Sequence, residues 1–344
     1  MATARASLYA SELRRELGLR NRLWARGRAH VESYGNPPVI VYKPYQPASE
    51  DPSVGTVAKI ERHGNFFDAA YAAIAGRPDW VRRFNKIHGQ KRALPKAERK
   101  WRELDSSMSS DALLMNVFCT PGVVESPRVR RTLGVDAEDA PVFGWKARVP
   151  LSSGLLDRTE VDMRLGGLLV EAKLTEGDFQ TRAAAVVERY RDFDAVFERE
   201  LLPKVELRTE RRKEATEFPE DYSQEEEDLA DQAGLLLAFN SRSSAPVASP
   251  SKSESAYAGY QLIRNVLAAY SEGCSFCVIH DDRRPDLREA WFRVMAAVKS
   301  AEMRVRCKVL TWQELAALLP EGLQDFLDLK YGIVGPGRTS SVLE

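Results

Sequence analysis

Asp162, Glu171 and Lys173 stand close together in the segment Thr159-Glu160-Val161-Asp162-Met163-Arg164-Leu165-Gly166-Gly167-Leu168-Leu169-Val170-Glu171-Ala172-Lys173-Leu174. Gly166-Gly167 predicts a two-residue hairpin turn, because both glycines accept positive φ. A turn that short sets the register. Leu165 then faces Leu168, Met163 faces Val170 and Val161 faces Ala172, with Leu174 beside them. That face is wholly apolar and must pack on a core. On the other face Arg164 lies opposite Leu169, Asp162 opposite Glu171, and Glu160 opposite Lys173. Directly opposed residues have Cβ atoms about 4.5–5.5 Å apart, and like charges so placed repel. A divalent cation compensates such a pair, because hard metals take carboxylate oxygens. The plainer alternative is a surface hairpin. Glu160 and Lys173 would then form a cross-strand ion pair, and Arg164 would relieve Asp162 and Glu171 diagonally. Leu169 on the charged face favours a partly covered cleft instead.

The elements around the hairpin follow from apolar periodicity and breakers. Ser107–Phe118 predicts a helix with Ser109, Ser110 and Asp111 at its start and Leu113, Leu114, Val117 and Phe118 on one face. Val142–Leu151, Thr159–Leu165 and Leu168–Leu174 predict three strands. Thr181–Leu202 predicts a long helix, on the spacing of Val186, Tyr190, Phe193, Phe197 and Leu201. Further on, helices are expected at Ala256–Tyr270, Leu287–Ser300 and Trp312–Leu319, with strands at Phe276–His280 and Arg304–Leu310. Before all of these, helices are expected at Tyr9–Leu17, Phe66–Ala75, Asp79–Ile87 and Pro95–Leu104, with an extended Val39–Tyr42. The fold class is α/β: a mixed sheet flanked by helices, with a helical N-terminal extension.

Length and charge bound the organisation. The chain has 344 residues, enough for about two domains or one with insertions. Lys and Arg number 50, as do Asp and Glu, so no uniformly basic binder is present. The zero total hides segregation. Residues 1–30 hold seven Arg against Glu12 and Glu16, and residues 82–102 hold nine basic side chains against Glu98. Residues 198–231 hold thirteen acidic and six basic ones. The expected division is a basic extension at 1–104, a main domain at 105–330 with an insertion or linker near 204–255, and a flexible tail at 331–344. Ser241–Ser255 is the linker candidate. Few cysteines, no apolar leader and no long apolar run predict a soluble cytoplasmic protein with no membrane partner.

The hairpin resembles the PD-(D/E)XK nuclease superfamily, the restriction-endonuclease-like fold, in a divergent bacterial form. The residues that carry the resemblance are Asp162 and Glu171-Ala172-Lys173. The flanking order agrees: a helix, a three-strand meander carrying the acid and the E-x-K, then a helix and a further strand. Thr175-Glu176 resembles bacterial members, whereas the Pro before the acid is missing. The resemblance covers residues 105–315. It implies a restriction-endonuclease-like sheet and Mg²⁺-dependent cleavage of DNA, with Mn²⁺ as a substitute. Asp162, Glu171 and the carbonyl of Ala172 would bind metal. Lys173 would serve the water and stabilise the transition state. The superfamily also implies accessory groups, for which Asp111, Glu160 and Gln261 are the candidates, with Arg264 on the same helix as Gln261. Products with a 5′-phosphate and a 3′-hydroxyl, and a homodimer that cuts both strands, belong to the same expectation, as does a role in restriction, phage defence or repair.

Two other readings stand beside it. One is a nuclease-fold protein that no longer cuts and acts as a nucleic-acid-binding or assembly module. The other is a nuclease acting on RNA, since no motif separates the two substrates. Remaining signals are weaker. Cys274-Ser-Phe-Cys277 with His280 and Cys307 reads as core thiols rather than zinc ligands. His30, His63 and His88 are scattered. No Walker loop or G-x-S-x-G is present. Trp80, Phe84 and Trp101 among the basic residues of 82–102 read equally as a phosphate-tracking surface and as core aromatics.

Overall fold

Gly166 takes φ 56° and turns the chain, so that Leu165 pairs with Leu168, Arg164 with Leu169 and Met163 with Val170, as the hairpin register requires. This hairpin lies at the centre of a five-stranded mixed sheet in the computed structural model. The model describes residues 2–33, 38–46, 61–87, 101–136, 139–208 and 253–340. The strands are β1 (Val142–Lys146), β2 (Glu160–Leu165), β3 (Leu168–Ala172), β4 (Ser275–His280) and β5 (Cys307–Thr311). Their spatial order is β5-β4-β3-β2-β1. The β1–β2–β3 meander is antiparallel, and β3, β4 and β5 run parallel. Parallel strands need long crossovers and are covered on both faces. Accordingly β3 is buried throughout and β4 nearly so.

The elements that position the sheet are α1 (Ala2–Trp24), α2 (Asp68–Ala75), α3 (Pro78–Phe84), α4 (Ser110–Phe118), α5 (Tyr260–Glu272), α6 (Pro285–Ala296) and α7 (Glu321–Tyr331). On one face Met163, Leu165, Leu168, Val170, Ala172, Cys277 and Ile279 meet α4, α7 and Leu13 and Leu17 of α1. On the other, Leu169, Phe276 and Val278 meet Leu262, Ile263 and Val266 of α5 and Leu287, Trp291 and Val294 of α6. A third cluster joins α2 and α3 to α4 through Phe66, Tyr71, Ile74, Phe84, Leu104, Ala112 and Met115. Trp80, Phe84 and Trp101 are all buried, so the aromatics of that basic region belong to cores.

Local chemistry sets the boundaries. Ser109 Oγ accepts from the Ala112 backbone N–H at 3.1 Å and starts α4. Gly259 (φ 77°) separates a strand at Ser253–Ala258 from α5, which Gly273 (φ 67°) then ends. The helix expected over Ala256–Tyr270 therefore begins later, and the last residues of the Ser241–Ser255 stretch are strand.

Several expectations are corrected. Thr181–Leu202 is no long helix. It breaks into a strand (Thr181–Ala183) and two short helical turns (Ala184–Val187 and Phe193–Val196). The apolar spacing holds only in part: Tyr190, Phe193 and Phe197 are buried, but Val186 is only partly so and Leu201 is 59 % exposed, while Val187 and Val196 take core positions instead. Its backbone groups are taken elsewhere: Ser152 N–H donates to Arg189 O at 2.8 Å, and Arg191 N–H donates to Pro150 O at 2.9 Å. Val142–Leu151 splits into β1 and a short pairing at Val149–Pro150. The strand expected from Arg304 starts at Cys307, because Ser300 Oγ caps a helix over Ala301–Arg306. Val161 packs with Leu169 rather than with the Met163 face. Most of Pro95–Leu104 and the acidic stretch after residue 208 lie outside the described residues, as does His88. Among the described residues no helix is long and apolar enough to cross a membrane.

Candidate active site

The ladder between β2 and β3 stops at Met163–Val170, one rung short of Asp162 and Glu171. There the Asp162 side chain takes over the backbone's role, and its Oδ2 accepts from the Ala172 N–H at 2.7 Å. The acid is thus bonded into the middle of Glu171-Ala172-Lys173. It does not merely stand across from it.

Glu171 and Lys173 project from β3 toward the α5 side of the sheet. Glu171 is 1 % exposed and Lys173 5 %. Lys173 Nζ lies 2.9 Å from Glu171 Oε1, and Asn265 Nδ2 on α5 donates to Glu171 Oε2 at 2.8 Å. Both carboxylate oxygens therefore have a donor. Asn265 Oδ1 in turn accepts from Arg264 Nη2 at 2.8 Å, and the same Nη2 donates to Glu160 O at 2.7 Å. This chain, buried as far as Arg264, ties α5 to both strands of the hairpin. Gln261 is buried one helical turn before Asn265. Behind Lys173, its N–H donates to Ile279 O at 2.8 Å and its carbonyl accepts from Trp312 Nε1 at 3.0 Å. Beyond it, Glu176 accepts from Ser110 Oγ at 2.5 Å and from Leu174 N–H at 2.6 Å. Arg284, fully buried, donates to the carbonyls of Glu176 and Gly177. The loop after the E-x-K is thereby stapled to α4 and to the start of α6.

Two expected pairings are replaced. Lys173 pairs with Glu171, not Glu160. Glu160 instead binds Lys86 Nζ at 2.7 Å and Arg83 Nη1 at 3.1 Å. Arg164 does not relieve Asp162 either. It stacks 4.5 Å from the Trp145 ring and reaches Glu272. Asp111, expected either as an accessory acid or as a first-turn charge, is paired with Arg83 Nη2 and nearly buried.

Electrostatics single out Asp162. Burial pushes its carboxyl well above the usual carboxylate range, and repulsion from Glu171 and then Asp111 adds to the rise, opposed by Lys173. Glu160 is the reverse case: burial would raise it, but Arg83 and Lys86 outweigh that and hold it below the usual range. Glu103, beside the same cations, is lifted to about 7 by burial and by Asp111. Its Oε2 is buried without a hydrogen-bond partner. A raised folded pKa makes stability fall as pH rises from about 4.5 through about 7. Glu103→Gln removes that penalty. The variant is expected to be more stable than wild type at pH 8 by about 3 kcal/mol, with the gap closing toward pH 5. Thermal melts across that range check it, and a constant gap contradicts it.

The donor set suits a hard divalent cation. Asp162 and Glu171 supply carboxylate oxygens and Ala172 a carbonyl, and Asp162 carries the repulsion that a cation would remove. Among the described residues no three His, Cys, Asp or Glu side chains group closely enough to hold a metal unaided. Mg²⁺ commonly takes one or two carboxylates and completes its shell with water and substrate phosphate. Elsewhere Cys274 and Cys277 are buried among apolar side chains, and His63 Nε2 meets Asp105 Oδ1 at 3.1 Å.

Sequence reasoning passed over Asn265 and Arg83 as members of this site. Asn265 had a signal: it is a polar residue one turn after Gln261 on a helix otherwise apolar on that side. Arg83 had none, because nothing local distinguishes it from Arg82.

Comparison with known proteins agrees with this geometry at the level of family. The model of a family described as Restriction Endonuclease associating with ARP matches residues 26–332. No curated protein and no solved structure matches the chain.

Proposed function

Since the chain belongs to the family Restriction Endonuclease associating with ARP, we propose that it is a metal-dependent endonuclease of the PD-(D/E)XK type acting on DNA. The observation that carries this reading is the Asp162–Ala172 hydrogen bond. It locks the acid of β2 onto the Glu171-Ala172-Lys173 run of β3. Asp162, Glu171 and the Ala172 carbonyl would hold Mg²⁺, or Mn²⁺ in its place. Such an ion lowers the pKa of a bound water and neutralises charge on the scissile phosphate.

The chain's own groups do the rest. Asn265 and Lys173 hold Glu171 in one orientation from both sides. The Lys173 ammonium, fixed by Glu171 and by the sheet bond to Ile279, donates to the attacking water and to the charge that develops on phosphorus-bound oxygen. Water forms the new P–O bond as the bond from phosphorus to the 3′-oxygen breaks; the water's proton passes to solvent and the departing oxygen takes one from solvent, giving a 5′-phosphate and a 3′-hydroxyl. The family description also names an association with ARP.

The test incubates the protein with supercoiled plasmid, linear duplex, single-stranded DNA and RNA in Mg²⁺, Mn²⁺ or EDTA. DNA cutting that EDTA abolishes is the expected result. No cutting under any condition, or cutting indifferent to EDTA, overturns the reading.

A further inference from the structure

The acidic face is completed by a segment remote from the sheet in sequence. Arg83 ends α3, and its side chain is 9 % exposed. Its Nη2 pairs with Asp111, in the first turn of α4, and its Nη1 with Glu160 Oε1 at 3.1 Å, at the start of β2. Lys86 reaches the same Glu160 oxygen from a more open position, its side chain 26 % exposed. Gly144 on β1 leaves room for this clamp. A Cβ there would stand 3.2 Å from Arg83 Nη1 and 3.4 Å from Glu160 Oε2, and its φ of 64° disfavours any other residue.

We propose that Arg83 is a positioning residue of the metal site, one guanidinium bridging the two acids that flank Asp162, so that the N-terminal segment completes the site. The proposal rests on the nuclease reading. Its physical content is charge and fork geometry. Glu103, Asp111, Glu160, Asp162 and Glu171 share this face with Arg83, Lys86 and Lys173. Arg83 pairs with Asp111 and Glu160 together, leaving Asp162 and Glu171 for the cation. A lysine carries the charge but has no planar fork, and holds one acid rather than two.

Mn²⁺ binding by the full chain, followed by electron paramagnetic resonance without nucleic acid, tests this directly. Arg83→Met is expected to weaken Mn²⁺ binding about tenfold, a change of about 1.4 kcal/mol. Arg83→Lys keeps the charge and should weaken it about threefold, a smaller loss of the same kind. Lys86→Met removes only the outer partner of Glu160 and should change binding less than about twofold, as exposed pairs do. In cleavage assays the half-saturating Mg²⁺ concentration should rise in the same order. Melting curves report folding, and the charge-keeping Arg83→Lys decides if Arg83→Met does not fold. Wild-type Mn²⁺ affinity in folded Arg83→Met and Arg83→Lys overturns the proposal, as does a Lys86→Met loss equal to that of Arg83→Met. If wild type binds Mn²⁺ but cuts nothing, the nuclease reading falls, while the same Mn²⁺ comparison still upholds or overturns the role of Arg83. A wild type that binds no Mn²⁺ overturns both.

Discussion

Lys173→Met lowers the cleavage rate by about 10²–10³-fold at saturating metal, the scale seen when one preorganised transition-state donor is removed. The ammonium lies 2.9 Å from Glu171 Oε1, is 5 % exposed, and is fixed through its backbone to Ile279. No solvent cation can take that place with the same geometry. The substitution also leaves Glu171, 1 % exposed, without its ion-pair partner. A buried charge stripped of its partner costs about 3–5 kcal/mol, so the variant should melt earlier. Added Mg²⁺ should restore more of its melting temperature than of wild type's, because the metal replaces the lost positive charge. Single-turnover cleavage of plasmid, with melts at several Mg²⁺ concentrations, measures both effects. A rate within about tenfold of wild type would remove Lys173 from the chemistry.

Asn265→Leu is expected to cost about 3 kcal/mol of stability or more, an order set by buried charged groups losing hydrogen-bond partners. Asn265 is fully buried and serves two charged neighbours at once: it donates to Glu171 Oε2 and accepts from Arg264. Leucine has the same branched skeleton of four heavy atoms and opens no cavity, so the loss comes from unpaired polar groups. Glu171 would keep only Lys173 on its other oxygen and could rotate, so cleavage should fall by about 10²-fold even where the variant is folded. Asn265→Asp is harsher, since it sets a second carboxylate 2.8 Å from Glu171 in place of a donor. Chemical denaturation and cleavage at a temperature below both midpoints separate the two effects. A variant as stable as wild type would show that this chain of bonds holds nothing together.

The central hairpin was legible because its information is local. Two glycines and strict alternation set a register that a slip of one residue would ruin, by sending Met163, Leu165 and Val170 to the wrong face. That the charged face is covered was also legible, from the single leucine among the charges, and Leu169 is fully buried in the cluster with α5. The end of the ladder was not. Extending ideal pairing placed Glu160 opposite Lys173, but Asp162 takes the Ala172 N–H with its side chain and the strands part there. Glu160 then turns to cations that arrive from α3, a contact between residues far apart in the chain that no periodicity records. The failed helix at Thr181–Leu202 has a related cause. Its apolar spacing is that of a helix, yet Tyr190 is bound to Asp157 and, at 2.9 Å, to the Tyr260 hydroxyl. The carbonyl of Arg189 and the N–H of Arg191 pair with another hairpin. Tertiary hydrogen bonds overrode local preference, as they do wherever buried backbone groups find partners outside their own element.

The most direct measurement compares wild type with Asp162→Ala on supercoiled plasmid in Mg²⁺, Mn²⁺ and EDTA. Asp162 belongs to β2, accepts from the E-x-K backbone, and is raised by burial and by repulsion from Glu171 and Asp111. Wild type should convert plasmid only with metal, and Asp162→Ala should be inactive in both metals while still melting cooperatively. Metal-dependent cutting by the alanine variant at the wild-type rate would contradict the account, because the acid on which the site is built would then take no part in it.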